Sequence, residues 1–298
     1  MNKSLARAVL ISAGIIWGFG FVVNKWVLNY GWNDSQLLFV RFFSATVGIF
    51  IVYFRRIIKT NWHTVKWGLF LGIFLYFGFF FQTWGLVYTS ASNNALITAG
   101  YIVMLPVIVF IFGHEKVHNK TILAGFITLI GIAVVTIDPS DIALPNIGDM
   151  LTFVGAFFYA IHIFLLGKKT KEVDLFVLMA FQLLLFSVFA FVVMMAREGF
   201  PTVDTSNSLD LKYLIYAVSI GLFGSFVAFV FQSIGQKHTS AAEAGILIST
   251  ESFFGPVFAI IFLGEKSSIA LFVGMIFIVW AYFILQVGKR GFREIKGS

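Results

Sequence analysis

The sequence predicts an all-α polytopic membrane protein whose ten transmembrane helices form two inverted five-helix repeats. Three observations carry this prediction: an apolar composition, ten apolar stretches of membrane length, and a sequence repeat at a spacing of 150 residues. Of the 298 residues, 59% are hydrophobic and 12% are charged, whereas about a quarter of the residues in a soluble domain are charged. Such a chain cannot cover its surface with polar side chains in water.

The ten apolar stretches follow one another with short polar connections. A transmembrane helix needs about 20 mostly apolar residues, and each stretch comes close to that length. The first follows a basic segment, as in a signal peptide, but its apolar run continues to Val23 and we interpret it as a transmembrane helix. The predicted spans are Ala6–Val27, Ser35–Phe54, Val65–Leu86, Ala91–Phe112, Thr121–Ile137, Gly148–Leu166, Asp174–Ala196, Lys212–Ile234, Ala241–Leu263 and Ser268–Val287.

Lys and Arg residues are concentrated on one side of this predicted topology. With the N-terminus inside, sixteen of the 21 Lys and Arg residues fall in inside segments and four in outside segments. Because cytoplasmic loops are enriched in Lys and Arg, we predict a multi-pass protein of the plasma membrane with both termini in the cytoplasm. The inside charges are spread over six separate segments, so the net positive charge does not indicate nucleic-acid binding.

The repeat is clearest between residues 88–116 and residues 238–266. A shift of 150 residues aligns the Thr-Ser-Ala triplets at 89–91 and 239–241 and places Pro106 opposite Pro256, without a gap. We divide the chain into a first repeat of residues 1–140 and a second of residues 141–298, within one membrane unit. Five spans per repeat is an odd number, so the two copies are predicted to be inverted, an arrangement found in secondary transporters.

The repeat relation gathers four candidate site residues at one depth. Glu251 lies at the centre of the ninth span and aligns with Tyr101 at the centre of the fourth. Trp17 and Tyr159 lie near the centres of the first and sixth spans, which are also counterparts. An acidic side chain inside a membrane span is costly and usually functional, so Glu251 is the leading candidate for binding or coupling. The alternatives are a structural Glu that bonds two helices and plain aromatic packing.

Five further polar residues are weaker candidates. Glu243 lies about 12 Å nearer the cytoplasm than Glu251 on a regular helix, where it could also face water. Arg41 could bind a substrate carboxylate or pair structurally with a neighbouring carbonyl or acid. His162, Asn24 and Asn93 could line a cavity or form hydrogen bonds between helices.

Several classes of function lack any sequence support. The chain contains no Cys and no GxxxxGK[ST] phosphate-binding loop, and no metal cluster or catalytic triad is evident. We therefore expect no cofactor, no metal and no enzymatic activity.

Recurring local patterns resemble the EamA-like members of the drug/metabolite transporter superfamily over essentially the whole chain. The patterns are IIWGFGFVVNKW (15–26), LLFVRFF (37–43), QTWGLVYTSASNNALITAGY (82–101), GDMLTFVGAFFYAIH (148–162) and SAAEAGILISTESFFGPVFAIIFLGEK (240–266). The resemblance implies a bundle with a central cavity that works by alternating access. It also implies the movement of amino acids, other metabolites or drugs, mostly outward, without specifying which.

The sequence therefore favours a secondary transporter of small organic solutes, such as amino acids or related metabolites, with export as the expected direction. Its expected partners are a small-molecule substrate, with possible proton coupling, and the lipid bilayer; the oligomeric state is open. The first alternative is a multidrug exporter of lipophilic or quaternary cations. A non-transporting receptor or an intramembrane enzyme is disfavoured because inverted copies serve alternating access and have no evident benefit for catalysis.

Overall fold

The computed structural model describes residues 1–113, 119–136, 146–204 and 206–294, and within these ranges the chain is helical with short connections. The first copy contains α1 to α6, and the second contains α7 to α13 with a π-helix between α9 and α10. The helices are α1 Lys3–Asn29, α2 Asp34–Ile57, α3 Trp62–Tyr88, α4 Ala91–Thr98, α5 Tyr101–Gly113, α6 Asn119–Thr136, α7 Ile147–Lys169, α8 Leu175–Arg197, α9 Ser208–Ser219, π-helix Ile220–Val227, α10 Ala228–Lys237, α11 Ala241–Ile248, α12 Glu251–Leu263 and α13 Ile269–Glu294.

The predicted all-helical membrane fold is confirmed, with ten spans as an approximate count. Eight helical stretches in the described ranges are long and apolar enough to cross a membrane, and two shorter apolar helical segments cover residues 122–135 and 269–281. The predicted end of the fifth span at Ile137 and the predicted repeat boundary between residues 140 and 141 lie outside the described residues. The fourth, eighth and ninth predicted spans are not single regular helices, since each contains an interruption or a π-helical segment.

Contacts between helices are symmetric under exchange of the two copies. α3 packs against α7, and the counterpart pair α10 and α1 packs in the same way. α2 packs on its counterpart α8, and α6 packs on its counterpart α13. This two-fold pattern is what a duplicated five-span unit is expected to form.

Glycines allow the closest of these approaches. A Cβ atom on Gly148 of α7 would lie 2.6 Å from the backbone oxygen of Gly85 on α3, which is too short for any side chain. In membrane proteins, small residues bring helix backbones together and so replace the hydrophobic driving force that lipid does not supply.

Both copies start their fourth span with the same cap. The Ser90 hydroxyl accepts a hydrogen bond from the Asn93 backbone N–H at 3.0 Å, and the Ser240 hydroxyl accepts one from the Glu243 backbone N–H at 3.2 Å. Serine is a preferred N-cap because its oxygen satisfies an N–H group that has no partner within the helix. The repeated Thr-Ser-Ala triplet therefore fixes where α4 and α11 begin.

Candidate functional site

Both copies contain a break in their fourth span, and the leading candidate residues lie directly after it. α4 ends at Thr98 and α5 starts at Tyr101, while α11 ends at Ile248 and α12 starts at Glu251. Tyr101 and Glu251, which align in the repeat, are thus the first residues of two half-helices. Discontinuous helices of this kind form the midplane sites of many transporters, because their free backbone ends can interact with a solute.

Hydroxyl side chains satisfy the backbone at the second break. The hydroxyls of Ser249, Thr250 and Ser252 donate to backbone carbonyls three residues earlier, at 2.7, 2.9 and 2.6 Å. Such bonds compete with the i→i−4 backbone hydrogen bonds of a regular helix and so allow the helix to be interrupted. At the first break, the Thr98 hydroxyl donates to the Asn94 carbonyl at 2.7 Å. Pro106 and Pro256 lie inside α5 and α12, so the interruptions precede the prolines instead of coinciding with them.

A cavity of about 490 Å³ lies where the two breaks meet. Both copies contribute to it, and its walls combine aromatic rings with a few polar groups. The lining residues are Trp17, Gly20, Phe21, Asn24, Arg41, Phe79, Gln82, Tyr101, Tyr159, His162, Ile163, Phe229, Gln232, Ile248 and Glu251.

The acidic end of the cavity is formed by Glu251 and two tyrosines. Glu251 is 5% exposed, and the hydroxyls of Tyr101 and Tyr159 are near enough to interact with its carboxylate. The Tyr159 hydroxyl donates to Gln82 Oε1 at 2.8 Å, and Gln82 Nε2 donates to the Thr98 hydroxyl at 2.9 Å. Tyr159 is therefore fixed by a polar chain that connects the cavity wall to the first helix break.

The Tyr101 hydroxyl lies beside the Glu251 carboxyl group and interacts with it. Its oxygen is buried and reaches no other polar partner within the described structure.

The basic end of the cavity is formed by Arg41. This side chain is 2% exposed, and its Nε donates to the Ser225 hydroxyl at 2.8 Å. The guanidinium carbon lies 4.7 Å from the ring centre of Phe79 and 5.2 Å from that of Phe42. Attraction between the cation and the ring faces helps to hold the guanidinium in place.

The π-helix contributes backbone and side-chain acceptors to the same region. Trp17 Nε1 donates to the Gly224 carbonyl at 2.6 Å, and the Ser225 hydroxyl accepts from Arg41. A π-helix departs from the hydrogen-bond pattern of an α-helix and frequently occurs at functional sites. The N–H group of Ala228 bonds to the carbonyl of Phe223, five residues earlier.

Seven of the nine sequence-predicted candidates line the cavity: Trp17, Asn24, Arg41, Tyr101, Tyr159, His162 and Glu251. His162 Nε2 lies 3.1 Å from Gln182 Oε1, which matches the expected helix-to-helix hydrogen bond. The other two candidates, Asn93 and Glu243, lie outside the lining because they occur near the starts of α4 and α11, about two helical turns before the breaks.

Glu243 joins two helix ends instead of facing the cavity or water. It is 3% exposed, and its Oε1 accepts from Arg7 Nε at 2.8 Å and lies 2.7 Å from Arg7 Nη2. Lys3 Nζ lies 3.6 Å from the other carboxylate oxygen. The start of α11 is thereby tied to the start of α1.

The opposite end of the bundle is held by different contacts. Lys25 Nζ donates to the backbone carbonyls of Leu86 and Thr89 at 2.7 and 2.8 Å. Glu265 accepts from the backbone N–H groups of Ala91 and Ser92 at 2.7 and 3.1 Å. Lys25 thus caps the partly negative C-terminus of α3, and Glu265 caps the partly positive N-terminus of α4.

Eight of the fifteen lining residues are not among the nine sequence-predicted candidates, and these include Phe79, Gln82, Phe229 and Gln232. Phe79 and Phe229 are two of 38 Phe residues, and nothing in the pattern sets them apart. Gln82 and Gln232 are polar residues within predicted spans, which is the one signal that marks them. Each could equally be a helix-to-helix hydrogen-bonder, and only the folded chain places them at the cavity.

A two-copy helical bundle of membrane-spanning length, with a cavity lined by polar and aromatic side chains at paired helix breaks, defines a polytopic membrane protein of the transporter class. The chain belongs to the EamA-like transporter family, which it matches twice, over residues 5–137 and 146–286.

Two relatives agree with this assignment, and a solved structure shares the fold. An uncharacterized transporter of Archaeoglobus fulgidus is 25% identical over 290 residues, which cover 96% of this chain and 87% of the relative. The uncharacterized transporter YvbV of Bacillus subtilis is 25% identical over 285 residues, which cover 94% of this chain and 90% of YvbV. A solved crystal structure superposes with a TM-score of 0.75 at 15% identity, over 98% of this chain and 99% of the other, and shows the shared fold.

Proposed function

We propose that this protein is a secondary active transporter that moves small organic solutes, amino acids or related metabolites, by alternating access through the central cavity. The observation that carries the proposal is the position of the cavity at two helix breaks, one in each copy. Transporters built from repeats bind their solutes at such discontinuities near the middle of the membrane. Export is the direction that the family resemblance implies.

The proposed setting is a plasma membrane with both termini in the cytoplasm and the two copies inverted. The distribution of Lys and Arg supports this orientation, and the odd number of spans per copy supports the inversion. In this orientation, the contacts of Glu243 with Arg7 and Lys3 close the cytoplasmic end. The contacts of Lys25 and Glu265 close the outer end.

Alternating access requires that the two closures break at different times. Their chemistry differs, since one is an ion-pair cluster and the other consists of charged caps on helix termini. The free energy that holds each closure is therefore set by different residues, and a solute in the cavity can favour one opening over the other. A transporter of this type needs no nucleotide hydrolysis.

Glu251 is the proposed coupling or binding carboxylate. The test is solute uptake into vesicles that contain the purified protein, measured over a range of pH with the wild type, Glu251→Gln and a control. The control is Glu172→Gln, an acid outside the cavity whose side chain is half-exposed. We expect Glu251→Gln to lose transport or its pH dependence and Glu172→Gln to behave as wild type. If Glu251→Gln transports like wild type at every pH, the proposed role for Glu251 is wrong.

A second candidate function is export of lipophilic or quaternary cations. The carboxylate beside aromatic rings favours it, because cations are attracted to ring faces. Stabilisation of the protein by quaternary amines but not by amino acids in a thermal-shift measurement would support this alternative over the first.

A further inference from the structure

A pair of glycines marks equivalent positions in α3 and in its counterpart span of the second copy. A Cβ atom on Gly72 would lie 2.8 Å from the Gln182 carbonyl oxygen, and one on Gly221 would also meet a carbonyl oxygen, that of Arg41. Gln182 is the counterpart of Arg41 in the sequence repeat. The two glycines therefore hold the same place in the two copies, and Gly221 lies at the start of the π-helix.

An aromatic pair marks equivalent positions after the π-helix. The ring centres of Phe79 and Tyr159 lie 5.2 Å apart, and those of Phe229 and Trp17 lie 5.1 Å apart. Because Tyr159 and Trp17 are counterparts in the repeat, Phe79 and Phe229 also hold the same place in the two copies.

The spacing between these two positions differs by one residue. Phe79 follows Gly72 by seven positions, and Phe229 follows Gly221 by eight. α3 is a regular α-helix throughout this stretch, whereas the second copy forms the π-helix Ile220–Val227, which takes up about one residue more. Both flanks keep the packing found in the first copy, so the packing of the span does not account for the extra residue.

The π-helix releases a backbone carbonyl that binds a side chain of the cavity wall. In an α-helix, the Ala228 N–H would donate to the Gly224 carbonyl, four residues earlier. Here that N–H donates to the carbonyls of Phe223 and Ser225, and the Gly224 carbonyl accepts from Trp17 Nε1 at 2.6 Å. A regular helix would use this carbonyl for its own hydrogen bond, so the Trp17 bond depends on the π-helix.

The next residue of the π-helix holds Arg41. The Ser225 hydroxyl is fully buried and accepts from Arg41 Nε at 2.8 Å. A Cβ atom on Gly224 would lie 3.7 Å from Arg41 Nη2, so the π-helical backbone runs alongside the guanidinium. In the first copy, the counterpart Gln182 instead lies 3.1 Å from His162 Nε2 on α7. The extra residue thus accompanies the arginine and not its counterpart.

We infer that the extra residue of the eighth span is a positioning device, which holds the Trp17 indole and the Arg41 guanidinium in the cavity wall and is not needed for the span to fold. Gly224 and Ser225 are its positioning residues, since they act through these two side chains. The inference concerns the cavity on which the proposed function rests. Its first two measurements need no solute, so its failure and the failure of the proposed function are distinguishable.

Deletion of Phe223 removes one residue from the π-helix of the full-length protein. This side chain is 62% exposed, so little packing is lost, and the deletion gives Gly221 and Phe229 the spacing found in the first copy. The matched control is deletion of Phe74, which follows Gly72 by two positions as Phe223 follows Gly221. We expect the Phe223 deletion to keep the wild-type thermal midpoint and the Phe74 deletion to lower it sharply, because α3 has no residue to spare. Equal midpoints for the two deletions overturn the inference.

Nuclear magnetic resonance of protein labelled with ¹⁵N in its Trp and Arg side chains reports the two hydrogen bonds directly. Trp17→Phe assigns one of the seven indole signals, and Arg41→Lys assigns one Nε signal. Deletion of Phe223 should shift both assigned signals, whereas Ser225→Ala should shift the Arg41 signal alone. Unshifted Trp17 and Arg41 signals in the deletion overturn the inference. A shift of most other signals also overturns it, because the whole fold would then depend on the extra residue.

Transport by vesicles measures the consequence for the cavity. Labelled samples of the twenty common amino acids and of tetraphenylphosphonium are screened with the wild type, and the solute taken up fastest is kept as the probe. We expect deletion of Phe223 to raise the KM for this probe by about tenfold or more, because hydrogen bonds that position a charged group are lost. A wild-type KM in the deletion overturns the inference. A wild-type protein that moves none of these solutes overturns the proposed function, while the midpoints and the side-chain signals still decide the inference.

Discussion

Replacement of Arg7 by Gln tests whether the ion-pair cluster at the predicted cytoplasmic end is a closure. Glu243 is buried, whereas the Arg7 side chain is 40% exposed. Breaking a fully buried pair costs about 3–5 kcal/mol, and an exposed pair contributes about 0–1 kcal/mol. The intermediate exposure and the remaining Lys3 contact at 3.6 Å place this loss at about 1–2 kcal/mol. That energy corresponds to a roughly 5- to 30-fold change in the ratio of closed to open states.

The absence of cysteine from the sequence makes the measurement direct. Ile163 lines the cavity, so Ile163→Cys introduces the one thiol in the protein. Its reaction with a membrane-impermeant maleimide added from the cytoplasmic side reports how often that end opens. We expect Arg7→Gln to accelerate labelling by about 5- to 30-fold, because the open state becomes more populated.

A matched control separates this effect from a general loss of positive charge. Arg56 pairs with Asp174 at 3.5 Å, and both side chains are substantially exposed. Arg56→Gln removes a cation on the same side of the membrane without affecting Glu243, so labelling should stay at the wild-type rate. Equal rates in the Arg7→Gln, Arg56→Gln and parent proteins would refute the closure.

Three further substitutions test the packing and the outer contacts by their effect on thermal unfolding in detergent. Gly148→Ala should destabilise the protein by about 1–3 kcal/mol, because its Cβ would overlap the Gly85 carbonyl; an unchanged midpoint would contradict the close packing of α3 and α7. Arg197→Gln should lower the midpoint because it leaves the buried Asp34 carboxylate without its partner at 3.0 Å. Lys25→Met should also lower it, by removing two hydrogen bonds to carbonyls at the α3 C-terminus; equal midpoints would show that this cap contributes nothing.

The architecture could be predicted from sequence because composition and repeat spacing constrain it strongly. The places where the helices break could not. A proline removes a backbone donor and can kink a helix, yet α5 and α12 continue through Pro106 and Pro256. The helix is interrupted before each proline, where hydroxyl groups bond to backbone carbonyls and Gly100 gives the backbone more conformational freedom. That outcome depends on side-chain hydrogen bonds, such as that of Ser249 to a carbonyl, which spacing alone does not determine.

The candidate site could likewise be predicted only in part. Depth along the spans grouped Trp17, Tyr101, Tyr159 and Glu251, and the fold brings these residues to one cavity. Depth could not assign Glu243, because the partner that holds it is 236 positions away in sequence. Long-range pairs of this kind depend on how the helices pack, which the sequence pattern does not specify.

The π-helix between α9 and α10 also fixes the rotational phase of the eighth span. A regular α-helix turns about 100° per residue, and a π-helical segment takes up about one residue more than an α-helix does. Restoring a regular helix over Ile220–Val227 without deleting a residue would therefore rotate α10 relative to α9 by about that angle. Phe229 and Gln232 would then turn away from the cavity while α9 kept its contacts. The π-helical segment thus takes up one extra residue of the eighth span while the side chains of α10 still face the cavity.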